Sequence, residues 1–427
     1  MQINTTKLTT FMKVMFVMGG IAHYYADFLN KLQEKNVEVV LVAPNKSSAT
    51  VGKGVKTVEN GLNFKTIRLD EKISYYQKAY YPDLSSVLET EKPDVAIFAW
   101  PYFLQYFFVR KLRQTMRKHA IKYVIREIPF QTPQFGKARK YYKENPVHDE
   151  NMRVLSKGIF FYVRALMVMH VRRYCYKHCD ASLNYSTIAH NILPSYGISK
   201  ENIFVTYNTT NNEVLWAERE KVKQREPLLP INSERIIHIG RLVKWKRVDL
   251  LLDAFTLVVN KYPNAELLVV GEGQEKDNLM QQSIKLNIAN NVRFVGSTYD
   301  SHTLGQYMNE SAIYVLAGMG GLSINDAMTY GLPIICSVCD GTEVDLVEDQ
   351  HNGLYFDENN KQSLAEKIIT LLKSPELCKQ MGENSENIIR NKINIETVLN
   401  RYLSAFKTIV KRQQKTVHMD NNENQRT

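Results

Sequence analysis

KVMFVMGGIAHYYADFLNKLQEKNVEVVLVA, residues 13–43, decides the fold class. KVMFVM (13–18) is an unbroken apolar run of strand length, and Gly19-Gly20 ends it. Residues 22–34 follow with Ala22, Ala26, Leu29 and Leu32 at helical spacing, and VEVVLVA (37–43) is a second apolar strand. Strand, glycine turn, helix and strand in that order open a parallel sheet, because a crossover helix is what joins parallel neighbours.

The alternation extends outward from there. Strands are expected at 95–99, 123–126, 181–185 and 203–206, with helices at 106–119 and 159–177. Residues 208–230 are polar and read as a linker. A second series follows, with strands at 235–240, 266–271, 292–295, 313–316 and 333–336. Helices lie between these strands, and two more, 362–372 and 395–411, close the fold. The expected class is therefore α/β, with two Rossmann-like, doubly wound domains facing a central cleft. The divisions are 11–207 for the N-terminal domain, 208–230 for the linker and 231–394 for the C-terminal domain. A helix at 395–412 packs back toward the N-terminal domain, and a disordered polar tail covers 413–427. In such sheets ligands sit outside the carboxyl ends of the strands, so the loops after strands are the places to search.

The 427 residues suit two domains, with 44% hydrophobic and 23% charged residues. The net charge of +11 is lopsided: residues 1–200 hold 30 Lys/Arg against 15 Asp/Glu, leaving the remainder at −4. That imbalance calls for an anionic partner of the first half, such as a membrane surface. Five cysteines and no apolar leader in 1–10 point to a reducing cytoplasm, at most peripheral on the inner face of the plasma membrane. Cys175, His178 and Cys179 lie in a different expected domain from Cys336 and Cys339, so no metal site is expected.

Four stretches carry the chemistry. AGMGGLSINDAMTYGLPIICS (317–337) sets a glycine cluster, Gly318, Gly320 and Gly321, between a strand and a helix beginning near Leu322 and Ser323. Backbone N–H groups at a helix start have no internal partners, and glycine lets a pyrophosphate approach them. Ser323 is placed to cap that helix, and Asp326 one turn on suits ribose hydroxyls. GRLVKWK (240–246) puts Arg241 and Lys246 after a strand, where two cations suit a diphosphate. Gly271-Glu272-Gly273 and Gly19-Gly20 also follow strands. Each stretch also has an ordinary reading, as a turn or a solvated surface.

Together they resemble one family. GRLVKWKRVDLLLDAF (240–255), ELLVVGEGQEKDNLMQQSIKLNIANNVRFVG (266–296), GLSINDAMTYGLPII (321–335) and GTEVDLVEDQHNGLYF (341–356) are similar, in order and spacing, to the elements of the retaining glycosyltransferases of family 4, which have the GT-B fold. In the first domain only Gly19-Gly20, the strand pattern and CDASLNYS (179–186) match. The resemblance implies transfer of a sugar from a nucleoside-diphosphate sugar, a UDP-sugar ahead of a GDP-sugar, with no cofactor required. The implied acceptor is a carbohydrate or a lipid-linked glycan, and configuration is retained. Arg241 and Lys246 would neutralise the diphosphate, and Gly320, Gly321, Leu322 and Ser323 would cradle it. Gly296, Ser297 and Thr298 would meet the base, and Gly19 and Gly20 would approach from the facing domain.

Two departures stand out. The family often carries glutamates eight positions apart where this chain has Gly318 and Asp326. The histidine-bearing loops of the first domain are also missing, which leaves Arg126 and Glu127, after strand 123–125, as candidates for sugar contact and catalysis. Two other readings compete. One is a catalytically silent nucleotide-sugar binder on the same fold. The other is a basic nucleic-acid-binding protein, which explains the charge but not the second-domain motifs, so no nucleic-acid partner is expected.

Overall fold

The structure is a computed structural model that describes residues 12–46, 58–75, 77–128, 130, 132–149, 153–339 and 341–423, with only the backbone for 412–423. The expectations for 1–10 and for the end of the tail lie outside these residues.

Among the described residues thirteen strands build two parallel sheets. The first contains β1 (Met12–Val17), β2 (Val37–Pro44) and β3 (Lys65–Leu69). A small antiparallel hairpin, β4 (Lys72–Ile73) and β5 (Ala79–Tyr80), interrupts it. The sheet resumes with β6 (Val95–Ala99), β7 (Lys122–Glu127), β8 (Ala181–Asn184) and β9 (Ile203–Val205). Its order is β3-β2-β1-β6-β7-β8-β9. The second sheet contains β10 (Arg235–Ile239), β11 (Glu266–Val270), β12 (Val292–Gly296), β13 (Ile313–Leu316), β14 (Ile334–Cys336) and β15 (Gly353–Tyr355). Its order, β12-β11-β10-β13-β14-β15, is the doubly wound arrangement, with a switch point between β10 and β13.

Helices cover both faces of each sheet, which is why the strands are apolar without alternation. Val14 and Phe16 of β1 pack under the helix His23–Glu34, while Met15 and Val17 face Leu84 and Leu88 on the other side. The helix Ile395–Glu423 ties the halves together: Tyr402 packs against Phe28 with the rings tilted and their centroids 4.7 Å apart, and Lys35 reaches Glu396 at 3.1 Å.

Several elements differ from expectation. The polar stretch 208–230 contains a helix, Asn212–Val222, that packs on the helices Ser301–Asn309 and Ser323–Thr329. Its Leu215 and Val222 are buried, an apolar stripe too narrow to stand out in a polar sequence. The helix expected at 106–119 is two, Gln105–Phe108 and Arg110–Lys118, broken at an extended Val109. The Arg113 guanidinium donates to the carbonyls of Tyr106 and Phe107, acceptors that an unbroken helix would have used. A helix Pro375–Asn391 was also missed, although Ser374 caps it and Pro375 opens it. The helical backbone continues through 413–423, part of the polar tail expected to be disordered.

Candidate functional site

At the switch point the loops after β10 and β13 lock together. Lys246, mostly buried, sends its Nζ to the carbonyl of Met319 at 2.8 Å and to that of Gly320. In return Met319 N donates to the Trp245 carbonyl at 2.8 Å. Gly318 lies flat on this turn: a Cβ there would stand 2.3 Å from the Trp245 oxygen and 2.7 Å from the Lys246 carbonyl carbon. A Cβ on Gly321 would stand 3.2 Å from Lys246 Nζ. The glycines that read as a phosphate cradle are therefore also the surface that seats the lysine. The half-buried Arg241 stands over the Trp245 ring at 5.5 Å, so both cations belong to one short turn.

Beneath that turn lies His238, wholly buried in β10. Its Nδ1 is 3.0 Å from the Val315 carbonyl, which can only accept, so Nδ1 carries the proton and Nε2 is left as a lone pair. Burial pushes its pKa down to about 4, with the nearby Lys246 charge acting in the same direction. Nε2 has no partner among the described residues. The Gly271-Glu272-Gly273 stretch serves the same framework: a Cβ on Gly271, at φ +155°, would stand 1.9 Å from the Gly240 oxygen, and one on Gly273 2.2 Å from that of Leu242. These glycines are required for backbone packing against the Gly240–Leu242 strand end.

The helix Ser323–Thr329 begins where expected, but Ser323 does not cap it. Its hydroxyl instead receives the Tyr314 OH at 2.7 Å, a partner from β13 that no local pattern reveals. Asp326 accepts from Thr210 Oγ1 at 2.7 Å, and burial raises its carboxyl to about 6. Across the cleft, Gly19 and Gly20 end at the exposed His23, whose ring meets Tyr299 edge-on at 6.2 Å. Tyr299 follows Gly296, Ser297 and Thr298, so the glycine turn of one domain faces the expected base loop of the other. Asp345, in the last motif, receives Thr187 N and Oγ1 at 2.9 and 2.7 Å, a second tie between the halves.

Arg126 and Glu127 are not in this cluster. Rather than a loop, they form the buried end of β7, paired with Leu183 and Asn184 of β8. Arg126 lies between the rings of Tyr25 and Tyr185, at 4.2 and 4.5 Å, and its Nε donates to Tyr402 OH at 3.0 Å. Glu127 accepts from Arg172 at 2.5 Å and from Tyr176 OH. Their partners come from helices far away in sequence, so two adjacent charges looked like a loop pair. Reading the sequence also missed His238, Trp245, Thr210 and Tyr299. Of these, only Trp245 gave a signal, as an aromatic between two cations.

A family model for glycosyl transferases group 1 matches residues 220–388, which hold the entire loop cluster around Lys246. The chain carries a group 1 glycosyl transferase domain. The chain is also similar to curated glycosyltransferases. A Haemophilus influenzae protein, an uncharacterized glycosyltransferase, is 29% identical over 196 residues, 45% of this chain and 54% of its own. A Staphylococcus aureus poly(ribitol-phosphate) alpha-N-acetylglucosaminyltransferase is 29% identical over 176 residues, 41% of this chain and 36% of its own. The matches thus span about half or less of these two relatives. Among solved structures, Anabaena HepE in complex with UDP superposes with a TM-score of 0.68 at 16% identity, covering 93% of this chain and 100% of that one. Sucrose-phosphate synthase from Thermosynechococcus elongatus does so at 0.66 and 16%, covering 94% and 100%. The group 1 domain therefore sits in a GT-B fold.

Proposed function

We propose that this chain transfers a sugar from a nucleoside-diphosphate sugar, a UDP-sugar first, to a carbohydrate or lipid-linked glycan acceptor, with retention of configuration. The observation that carries the reading is the interlocked pair of loops at the switch point: Arg241 and Lys246 on one, the Gly318–Gly321 backbone on the other. Anabaena HepE, on the same fold, has been crystallised with UDP and with UDP-glucose, which supports the choice of nucleotide. Two Staphylococcus aureus relatives, one named as a poly(ribitol-phosphate) alpha-N-acetylglucosaminyltransferase and one as a capsular polysaccharide biosynthesis glycosyltransferase, support a glycan acceptor.

Breaking the bond between sugar and diphosphate puts negative charge on the departing phosphate. Arg241 can grip two phosphate oxygens and Lys246 one, with the N–H groups at the start of Ser323–Thr329 adding partial positive charge. Because the turn is already held by Met319 and Gly320, little reorganisation accompanies the reaction. Asp326 takes a ribose hydroxyl once Thr210 yields its place, and Gly296, Ser297 and Thr298 line the base. If attack comes from the leaving-group side, a phosphate oxygen is near enough to receive the acceptor proton. Gly318 favours one alternative, a silent binder of nucleotide sugars, since no carboxylate can occupy that position.

Full-length protein incubated with UDP-, GDP- and ADP-sugars and candidate glycans, with products read by mass spectrometry, separates the readings. Transfer from a UDP-sugar is expected. Arg241→Ala should lower turnover by roughly 100-fold or more with the melting temperature kept. Lys246→Met should lower turnover as much and also lower the melting temperature, because the Met319 and Gly320 carbonyls lose their buried donor. Tight UDP binding without turnover would favour the silent binder, and full activity in both variants would refute the site.

A further inference from the structure

The helix Ile159–His178 outruns the sheet it serves. Just past its end, Asp180 accepts from Tyr123 N at 2.8 Å and from Lys122 Nζ at 2.9 Å, at the amino end of β7. Arg172 is already level with the other end of β7, where it holds Glu127. Residues 159–171 therefore run on for about 20 Å beyond the strands' carboxyl ends, at 1.5 Å per residue, on the cleft side of the domain.

One side of this overhang is covered by the helix Ala138–Glu144, with Tyr142 against Phe161 at 5.2 Å. Among the described residues the other side is bare. Ile159, Phe160, Val163, Leu166 and Met167 are 72, 88, 47, 44 and 47% exposed, and their spacing places them on one continuous stripe. Beside it stands the β4–β5 hairpin with Ile73 and Tyr75, 63 and 72% exposed. Burial, then the charges of Arg164 and Arg172, lower the pKa of Lys78 in that hairpin, as close neighbours would. An apolar stripe of this extent marks an interaction surface.

The charges around it name the partner. Residues 137–177 carry ten Lys/Arg against three Asp/Glu, with no acidic residue between Glu150 and Asp180. A second copy of the chain would bring Lys157 and Arg164 against their own kind. An anionic bilayer offers acyl chains to the stripe and phosphates to the cations. Among the described residues no helix is long and apolar enough to cross a membrane, so this contact is peripheral. The other basic helix, Arg110–Lys118, offers no such face: Leu112 and Met116 are buried, Lys118 is paired with Glu89 at 2.5 Å, and Arg113 is held by backbone carbonyls.

We propose that the overhang of Ile159–His178, with the hairpin tip beside it, docks the protein on an anionic phospholipid surface. Phe160 and its neighbours enter the headgroup layer, and Lys157 and Arg164 face lipid phosphates. The cleft mouth then lies close to the bilayer, within reach of an acceptor carried on a lipid if the transferase reading holds.

The test is co-sedimentation of the full chain with vesicles of phosphatidylcholine alone or mixed with phosphatidylglycerol. Binding is expected only with the anionic vesicles, falling as salt rises. The variant Ile159→Ser/Phe160→Ser/Val163→Ser should bind at least tenfold less, and Lys157→Glu/Arg164→Glu likewise. Both should keep the melting temperature and UDP affinity, because these side chains face water; the UDP readout also separates failure of docking from failure of the donor site. Absent binding, equal binding to neutral vesicles, or unchanged binding of the triple variant overturns the proposal. So does a dimer seen by light scattering that the triple variant abolishes, which would assign the stripe to a second copy.

Discussion

Replacing Gly318 with alanine should damage stability and donor binding together. The added Cβ would lie 2.3 Å from the Trp245 oxygen and 2.8 Å from that of Lys246. An unstrained contact needs about 3.5 Å, so the two loops must part by about 1 Å. Both obstacles are backbone, and no side-chain rotation relieves them. Overpacking of this kind costs about 1–3 kcal/mol. Loss of the bond from Met319 N to the Trp245 carbonyl adds about 1 kcal/mol. At 2–4 °C per kcal/mol for a unit of this size, the C-terminal domain should melt roughly 4–16 °C lower. The same parting shifts Lys246 from Met319 and Gly320, and a displacement near 1 Å in such a site weakens function by roughly 100-fold. Differential scanning calorimetry and UDP titration read the two effects. An alanine variant with wild-type melting temperature, and UDP affinity within about twofold, would refute the packing argument. Gly318→Glu, which restores the acidic residue of the resembled family, should fare worse than alanine.

Other outcomes follow from the buried charges. Asp326, raised to about 6 by burial, binds its proton more tightly folded than unfolded, so its contribution is full below about 3.8 and is lost as pH rises through 6. Asp326→Asn should therefore melt higher than wild type above pH 7 and lose that advantage toward pH 4; parallel melting curves would contradict this. His238, lowered to about 4 by burial, acts in the opposite sense: its contribution is full above about 6.5 and is lost as pH falls through 4. The two slopes oppose each other between pH 4 and 6.5, and His238→Asn should reveal the Asp326 slope that the wild type masks. Glu127→Gln should lower stability by about 3–5 kcal/mol, since Arg172 is left buried without its partner. A large loss of turnover at unchanged melting temperature would instead give Glu127 a part in sugar contact.

How much of this was legible can be judged element by element. The strands β1, β2, β6 and β11 were plain because a parallel sheet covered on both faces demands unbroken apolar runs, and Gly19-Gly20 marked the turn. Arg241, Lys246 and the glycine cluster stood out because phosphate-binding chemistry uses few residue types in fixed positions after strands. The edge strand β3, half exposed, and the three-residue β15 left no such trace. Local pattern also could not show what approaches from another part of the chain. Gly318 reads as a missing carboxylate until the turn at Trp245 is seen to lie on it. Ser323 reads as a cap until Tyr314 takes its hydroxyl. Arg126 and Glu127 read as a loop until Tyr402 and Arg172 arrive from distant helices. Sequence alone thus determined the two-domain architecture and the pair of cations in the turn after β10, because both follow from short-range periodicity and chemistry. Tertiary structure decided which polar groups are spoken for and which apolar stripe, Ile159 to Met167, is left facing outward. Those outcomes depend on which surfaces the folded chain brings together, and spacing along the chain carries no record of that.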